Sequence, residues 1–120
     1  MGFRIERTEN LIEVHLWGHM QGAEIVSILW QLHAIAPRKE INDLWLLAED
    51  CVVPWDIFLP IVKEVGRLLS PDMKASRSAI VVASHLQMAQ AQLYLEEARR
   101  LPFETGAFLS REEAVKWLKT

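Results

Sequence analysis

Cysteine occurs once in 120 residues, so no internal disulfide can form and nothing in the thiol content points to an oxidising compartment. Glycine and proline, five of each, are too sparse for a low-complexity or collagen-like chain. There is no cationic excess: 13 basic against 16 acidic residues leave a formal charge of -3, which argues against a dedicated nucleic-acid binder. The pairs Arg38-Lys39 and Arg99-Arg100 sit near predicted helix ends, where cations suit the helix dipole. No apolar run approaches the roughly 20 residues that span a bilayer, and the first residues lack the apolar core of a secretory signal. The resulting expectation is a cytoplasmic protein with no transmembrane segment. Metal and phosphate signatures are missing as well. No Cys-x-x-Cys or His-Glu-x-x-His occurs, His15 and His19 fall on a strand and a loop, and Gly18 and Gly22 form no glycine-rich cradle. No metal and no cofactor is expected.

What the sequence does hold is a globular composition, 51% hydrophobic and 24% charged. A chain of this length buries roughly two-thirds of its unfolded surface, enough for one domain spanning residues 1–120. Residues 3–7 alternate apolar and charged side chains, residues 8–10 supply a turn, and residues 11–17 place Ile12, Val14 and Leu16 on one face with Glu13 and His15 on the other. That pattern predicts an antiparallel hairpin, half buried and closed by Gly18. A helix over residues 23–36 follows, with Ile25, Ile28, Leu29, Leu32 and Ile35 at helical spacing and Pro37 as its stop. Residues 43–48 contain the unbroken apolar run Leu44-Trp45-Leu46-Leu47-Ala48, a strand apolar on both faces, as befits the interior of a parallel sheet.

A loop over residues 49–53 leads to Pro54 and a helix reaching about residue 69, which Pro60 is expected to kink or divide. Residues 70–72 read as a turn. Residues 77–84 give a second central strand, residues 86–101 a helix and residues 103–108 a short last strand. Ser110-Arg111-Glu112-Glu113 then caps a final helix with Ala114, Trp117 and Leu118 as its stripe. The fold class is therefore α/β: one mostly parallel five-stranded sheet with an antiparallel N-terminal edge strand and about four helices.

Some local pieces resemble a known family. The ending Phe103-Glu104-Thr105-Gly106-Ala107-Phe108, followed by Ser110-Arg111-Glu112-Glu113-Ala114-Val115-Lys116-Trp117-Leu118, resembles that of STAS-type, SpoIIAA-like domains. Gly18 after the second strand and Ala79-Ile80-Val81-Val82-Ala83 as the fourth add to the likeness. The resemblance covers about the whole chain and implies a non-catalytic module that binds a partner protein, a nucleotide or a small ligand. In the sigma-regulating branch it also implies a phosphorylatable Ser after the third strand. Here that stretch reads Leu47-Ala48-Glu49-Asp50-Cys51-Val52-Val53-Pro54-Trp55, with neither Ser nor Thr, so the switch does not transfer.

Ligands in an open parallel sheet gather beyond the carboxyl ends of the strands. That edge would collect Cys51, His85 and Asp50, types that serve as nucleophile, base and orienter in thiol enzymes. Loop polarity and helix capping explain the same residues without chemistry. The stronger signal is apolar excess. The helix after Pro54 is apolar over most of its circumference, through Trp55, Phe58, Leu59, Val62 and their neighbours, whereas a surface helix needs a stripe about 100° wide. Trp30 lies partly off the core stripe of the preceding helix, and Met20 is placed to line a groove beside it. Trp30, Trp55, Phe58, Leu59, Val62 and Met20 are thus the expected ligand or interface residues. The leading expectation is a homodimer formed through that surface. A small apolar ligand in a groove between the two helices is the second, and a regulatory protein is a further possible partner.

Overall fold

Strand order explains where the helices must go. The computed structural model describes residues 2–8, 10–37, 40–69 and 76–120, the side chain of Trp55 excepted. Its five strands are β1 (Gly2–Arg7), β2 (Leu11–Trp17), β3 (Asn42–Leu47), β4 (Ser78–Val81) and β5 (Thr105–Phe108). They form one sheet in sequential order β1-β2-β3-β4-β5, with β1 antiparallel to β2 and every other pair parallel. Because each strand pairs with the next in sequence and parallel crossovers are right-handed, the three crossover helices share one face of the sheet. These are α1 (Gly22–Ile35), α2 (Phe58–Leu68) and α3 (His85–Ala98); only α4 (Arg111–Leu118) is left for the other face.

Register fixes which side chains meet each layer. Val14 stands beside Trp45, and Trp45 beside Ile80, so Ile12, Val14, Leu16, Trp45, Leu47 and Ile80 face the three-helix layer. The intervening residues Leu44, Ala79 and Val81 face α4 and pack on Ala114 and Leu118. This is the expected α/β architecture with its antiparallel edge hairpin. The β2 turn ends at Gly18, whose φ of 75 is backbone that an L side chain rarely adopts.

Two local expectations change. Pro60 neither kinks nor divides α2. It is the third residue of that helix, within the first turn, where a backbone N–H has no intrahelical acceptor to lose. A single 3-10 turn, Trp55–Ile57, leads into it instead. The strand read over residues 77–84 is only Ser78–Val81, and α3 begins earlier, because Ser84 caps it by accepting from the Gln87 N–H at 3.1 Å. The turn expected at residues 70–72 lies outside the described residues.

Candidate functional site

The carboxyl edge of the sheet does not assemble a thiol site. Cys51 is 3% exposed and packs in the core cluster with Val14, Met20 and Ile28. Its burial, with the Asp50 carboxylate nearby, pushes the thiol up to about 11, so it stays protonated at neutral pH. An activated cysteine shows the opposite shift. Asp50 instead accepts the Gly18 N–H at 3.3 Å, and His85 is exposed at the start of α3. Among the described residues no hydrogen bond joins Cys51, His85 and Asp50.

The loops at that edge are tied together by a residue the sequence reading passed over. Gln87, 5% exposed, accepts the Ala83 N–H at 2.7 Å through its carbonyl oxygen, while its amide donates to Ala48 O at 2.9 Å and Cys51 O at 3.0 Å. One side chain thereby fixes α3 to the segments after β3 and β4. Gln is common in surface helices, so nothing in its neighbours marked this one as buried.

The apolar surplus of α2 is absorbed inside the chain. Phe58, Ile61 and Val62 are all buried: Phe58 meets Tyr94 of α3 edge to face at 5.7 Å, and Val62 packs with Ala98 and Leu101. Leu59 is half-buried, and no large apolar side chain of α2 is strongly exposed among the described residues. The surplus has a simple cause: α2 is the middle helix of its layer, packed between α1 and α3. Met20 is also interior, at 2% exposed, held by its N–H on Val52 O at 2.8 Å. Of the expected ligand or interface residues only Trp30 is outward, 45% exposed, with His33 edge-on at 6.2 Å and the Arg67 guanidinium 5.4 Å from its ring centre. Phe58, Val62 and Met20 are interior, and of these three Phe58 lines a cavity. The Trp55 side chain lies outside the described residues.

Enclosure of α2 leaves a void beneath it. A cavity of about 100 Å³ lies between the sheet and the three helices. Leu16, Trp45, Leu47 and Ile80 form its floor, and Ile25, Leu29, Phe58, Ile61, Ala91 and Tyr94 its roof. Gln87, Gln90 and Ser78 are its other polar neighbours. A second cavity of about 80 Å³ adjoins it, and the two share Leu29, Trp45, Ser78 and Tyr94 as a common wall. Well-packed interiors hold few voids larger than a water molecule.

The shared wall is the polar point of an otherwise apolar layer. Asp43, 9% exposed, accepts from Trp45 Nε1 at 3.1 Å and from the Ser78 hydroxyl through the same Oδ1. Tyr94 stands opposite; burial, and secondarily the Asp43 carboxylate, hold its hydroxyl well above the usual tyrosine range. None of Asp43, Trp45, Ser78 or Tyr94 was a candidate from sequence. The available signal was a polar residue opening each central strand, Asp43 and Ser78, which the register places side by side.

On the other face, Glu6, Glu13 and His15 bring three ligand-type atoms within 4.8 Å of one another. Arg4 holds Glu6 at 2.8 Å, and Arg111 of α4 holds Glu13 at 2.7 Å, so the cluster is built as an ion-pair lattice. Among the described residues no helix is long and apolar enough to cross a membrane.

By sequence, the chain matches no protein-family model and no curated protein. By structure it is similar to the anti-sigma factor antagonist SpoIIAA in its unphosphorylated form. The TM-score is 0.60 over 98% of this chain and 96% of that one, at 13% identity. It is also similar to an uncharacterised protein of the DUF3478 family with a SpoIIAA-like fold from Shewanella loihica PV-4. There the TM-score is 0.61, with 98% and 92% of the two chains covered and 22% identity. The fold is SpoIIAA-like along nearly the full chain, as the C-terminal motif implied.

Proposed function

We propose that this SpoIIAA-like chain is a non-catalytic, cytoplasmic STAS-type binding module, and that it holds a small, largely apolar ligand between its sheet and its three-helix layer. The observation behind this reading is the pair of adjoining cavities, the first roofed by Phe58 and Ile61, the second by Val65 and Leu68, with Tyr94 bordering both. Ligand sites of soluble proteins are mostly apolar concavities with a few placed polar groups, and the Asp43, Ser78 and Tyr94 cluster has that character. Phosphorylation of the loop after β3 is not part of the reading, since residues 48–54 contain no Ser or Thr. Nor is thiol chemistry, given the buried, protonated Cys51.

Native mass spectrometry of protein purified from cells tests it. A discrete small-molecule mass, lost when Ala91→Leu fills the cavity, is the expected result; bare polypeptide in both proteins contradicts it. Self-association is the second reading, now centred on Trp30, because Phe58 and Val62 face inward while that ring stays 45% exposed. Exposed Trp is enriched at contacts between chains. Sedimentation of a dimer that Trp30→Ala converts to monomer is its expected outcome, and a monomeric wild type removes it.

A further inference from the structure

The polar groups of the shared wall differ in one respect. The Trp45 indole N–H and the Ser78 hydroxyl both donate to Asp43. Gln87, which borders the first cavity alone, spends its carbonyl and its amide on backbone. The Tyr94 hydroxyl, by contrast, makes no hydrogen bond among the described residues, although it borders both cavities. Tyr94 is half-buried and its hydroxyl is not sealed from solvent, so the donor is open to a ligand atom in the cavities. The ring itself is fixed, because Phe58 packs against it edge to face. An open donor on a held ring, at the waist between two largely apolar cavities, is a recognition element for a ligand atom.

We infer that the ligand carries one neutral hydrogen-bond acceptor, a carbonyl or ether oxygen, set to receive the Tyr94 O–H, with apolar groups extending into the cavities on either side. This rests on the ligand-binding reading above and narrows it to a chemical class. The phenol keeps its proton throughout the neutral range, so it has an O–H to donate. Neutrality follows from the lining. Leu16, Ile25, Leu47, Ile61 and Ile80 of the first cavity offer an ion no partner for the hydration it would lose, and the Asp43 carboxylate in the second disfavours an anionic acceptor.

Acetophenone and ethylbenzene, alike in size and differing by the carbonyl, are suitable probes, titrated into wild type and Tyr94→Phe with amide NMR as the readout. Tyr94→Phe is expected to weaken acetophenone about tenfold, the loss of a hydrogen bond of about 1.4 kcal/mol. Ethylbenzene is expected to bind both proteins equally, and the thermal midpoint of the ligand-free variant to stay level or rise. Unchanged acetophenone binding overturns the inference, as does an equal loss for both probes, which would mark a change of shape. A lowered midpoint overturns it too, because the hydroxyl would then have a partner within the fold. If neither probe binds wild type, the cavity reading fails, and this narrower one with it.

Discussion

The two faces of the sheet are closed by different means. Beneath α4, small and branched side chains are fully enclosed: Leu44, Ala79 and Ala114 are each 0% exposed, and Leu118 at 8% closes the end. Beneath α1, α2 and α3, larger side chains such as Trp45, Phe58 and Tyr94 meet at their rims and leave two voids. Beyond the reach of α4, the same outer face ends in the ion pairs of Arg4 with Glu6 and Arg111 with Glu13, and in Trp17 lying over Gly2, where a Cβ would come within 2.6 Å of the indole. One face is built for stability, and the other gives up packing for space. Where packing is given up inside so small a domain, function is the natural reason.

Mutations sharpen that contrast. Leu44→Ala on the tight face is expected to cost about 3–4 kcal/mol, measured by denaturant unfolding, since nothing can collapse into the hole. Base should act next most strongly, and from the helix side. Cys51 holds its proton to about 11 when folded against 9.0 when unfolded, so the folded state binds the extra proton between those values. The stability this provides is complete below pH 9 and is lost as pH rises toward 11, up to roughly 2–3 kcal/mol. In Cys51→Ala that part of the alkaline loss should be absent from the unfolding curve.

A matched pair of enlargements compares the faces directly. Ala114→Leu should destabilise by about 2 kcal/mol through overpacking, whereas Ala91→Leu should be neutral or gain about 1 kcal/mol by filling the void. Equal penalties at both sites would break the contrast. The smallest effect is expected at the rim. Arg111→Met should cost about 1 kcal/mol by stranding Glu13, and adding Glu13→Leu should restore near wild-type stability, because a well-packed apolar pair replaces such an ion pair at little cost.

Periodicity made the strands and helices legible, together with their order and the burial of Ile12, Val14, Leu16, Ile25 and Ile28. The apolar breadth of α2 was legible too, but its meaning was not, since a pattern along one helix does not say how many neighbours the helix has. Sequential strand order puts α2 between α1 and α3, and that placement turned an expected outer surface into a cavity roof. The polar wall was hidden for a related reason. Asp43, Ser78 and Tyr94 are separated by 35 and 16 positions, and only the β3–β4 register and the packing of α3 bring them together. Glu13 shows the same limit: alternation assigned it to solvent, yet Arg111, 98 positions away, covers it and leaves it 8% exposed.

Xenon titration followed by amide NMR asks the central question most directly, because xenon enters dry apolar cavities whatever the natural ligand is. The account predicts saturable shifts at Leu29, Trp45, Ile80, Ala91 and Tyr94 in wild type, and their loss in Ala91→Leu. Shifts that rise without saturating, spread over the surface and identical in the two proteins, would contradict it.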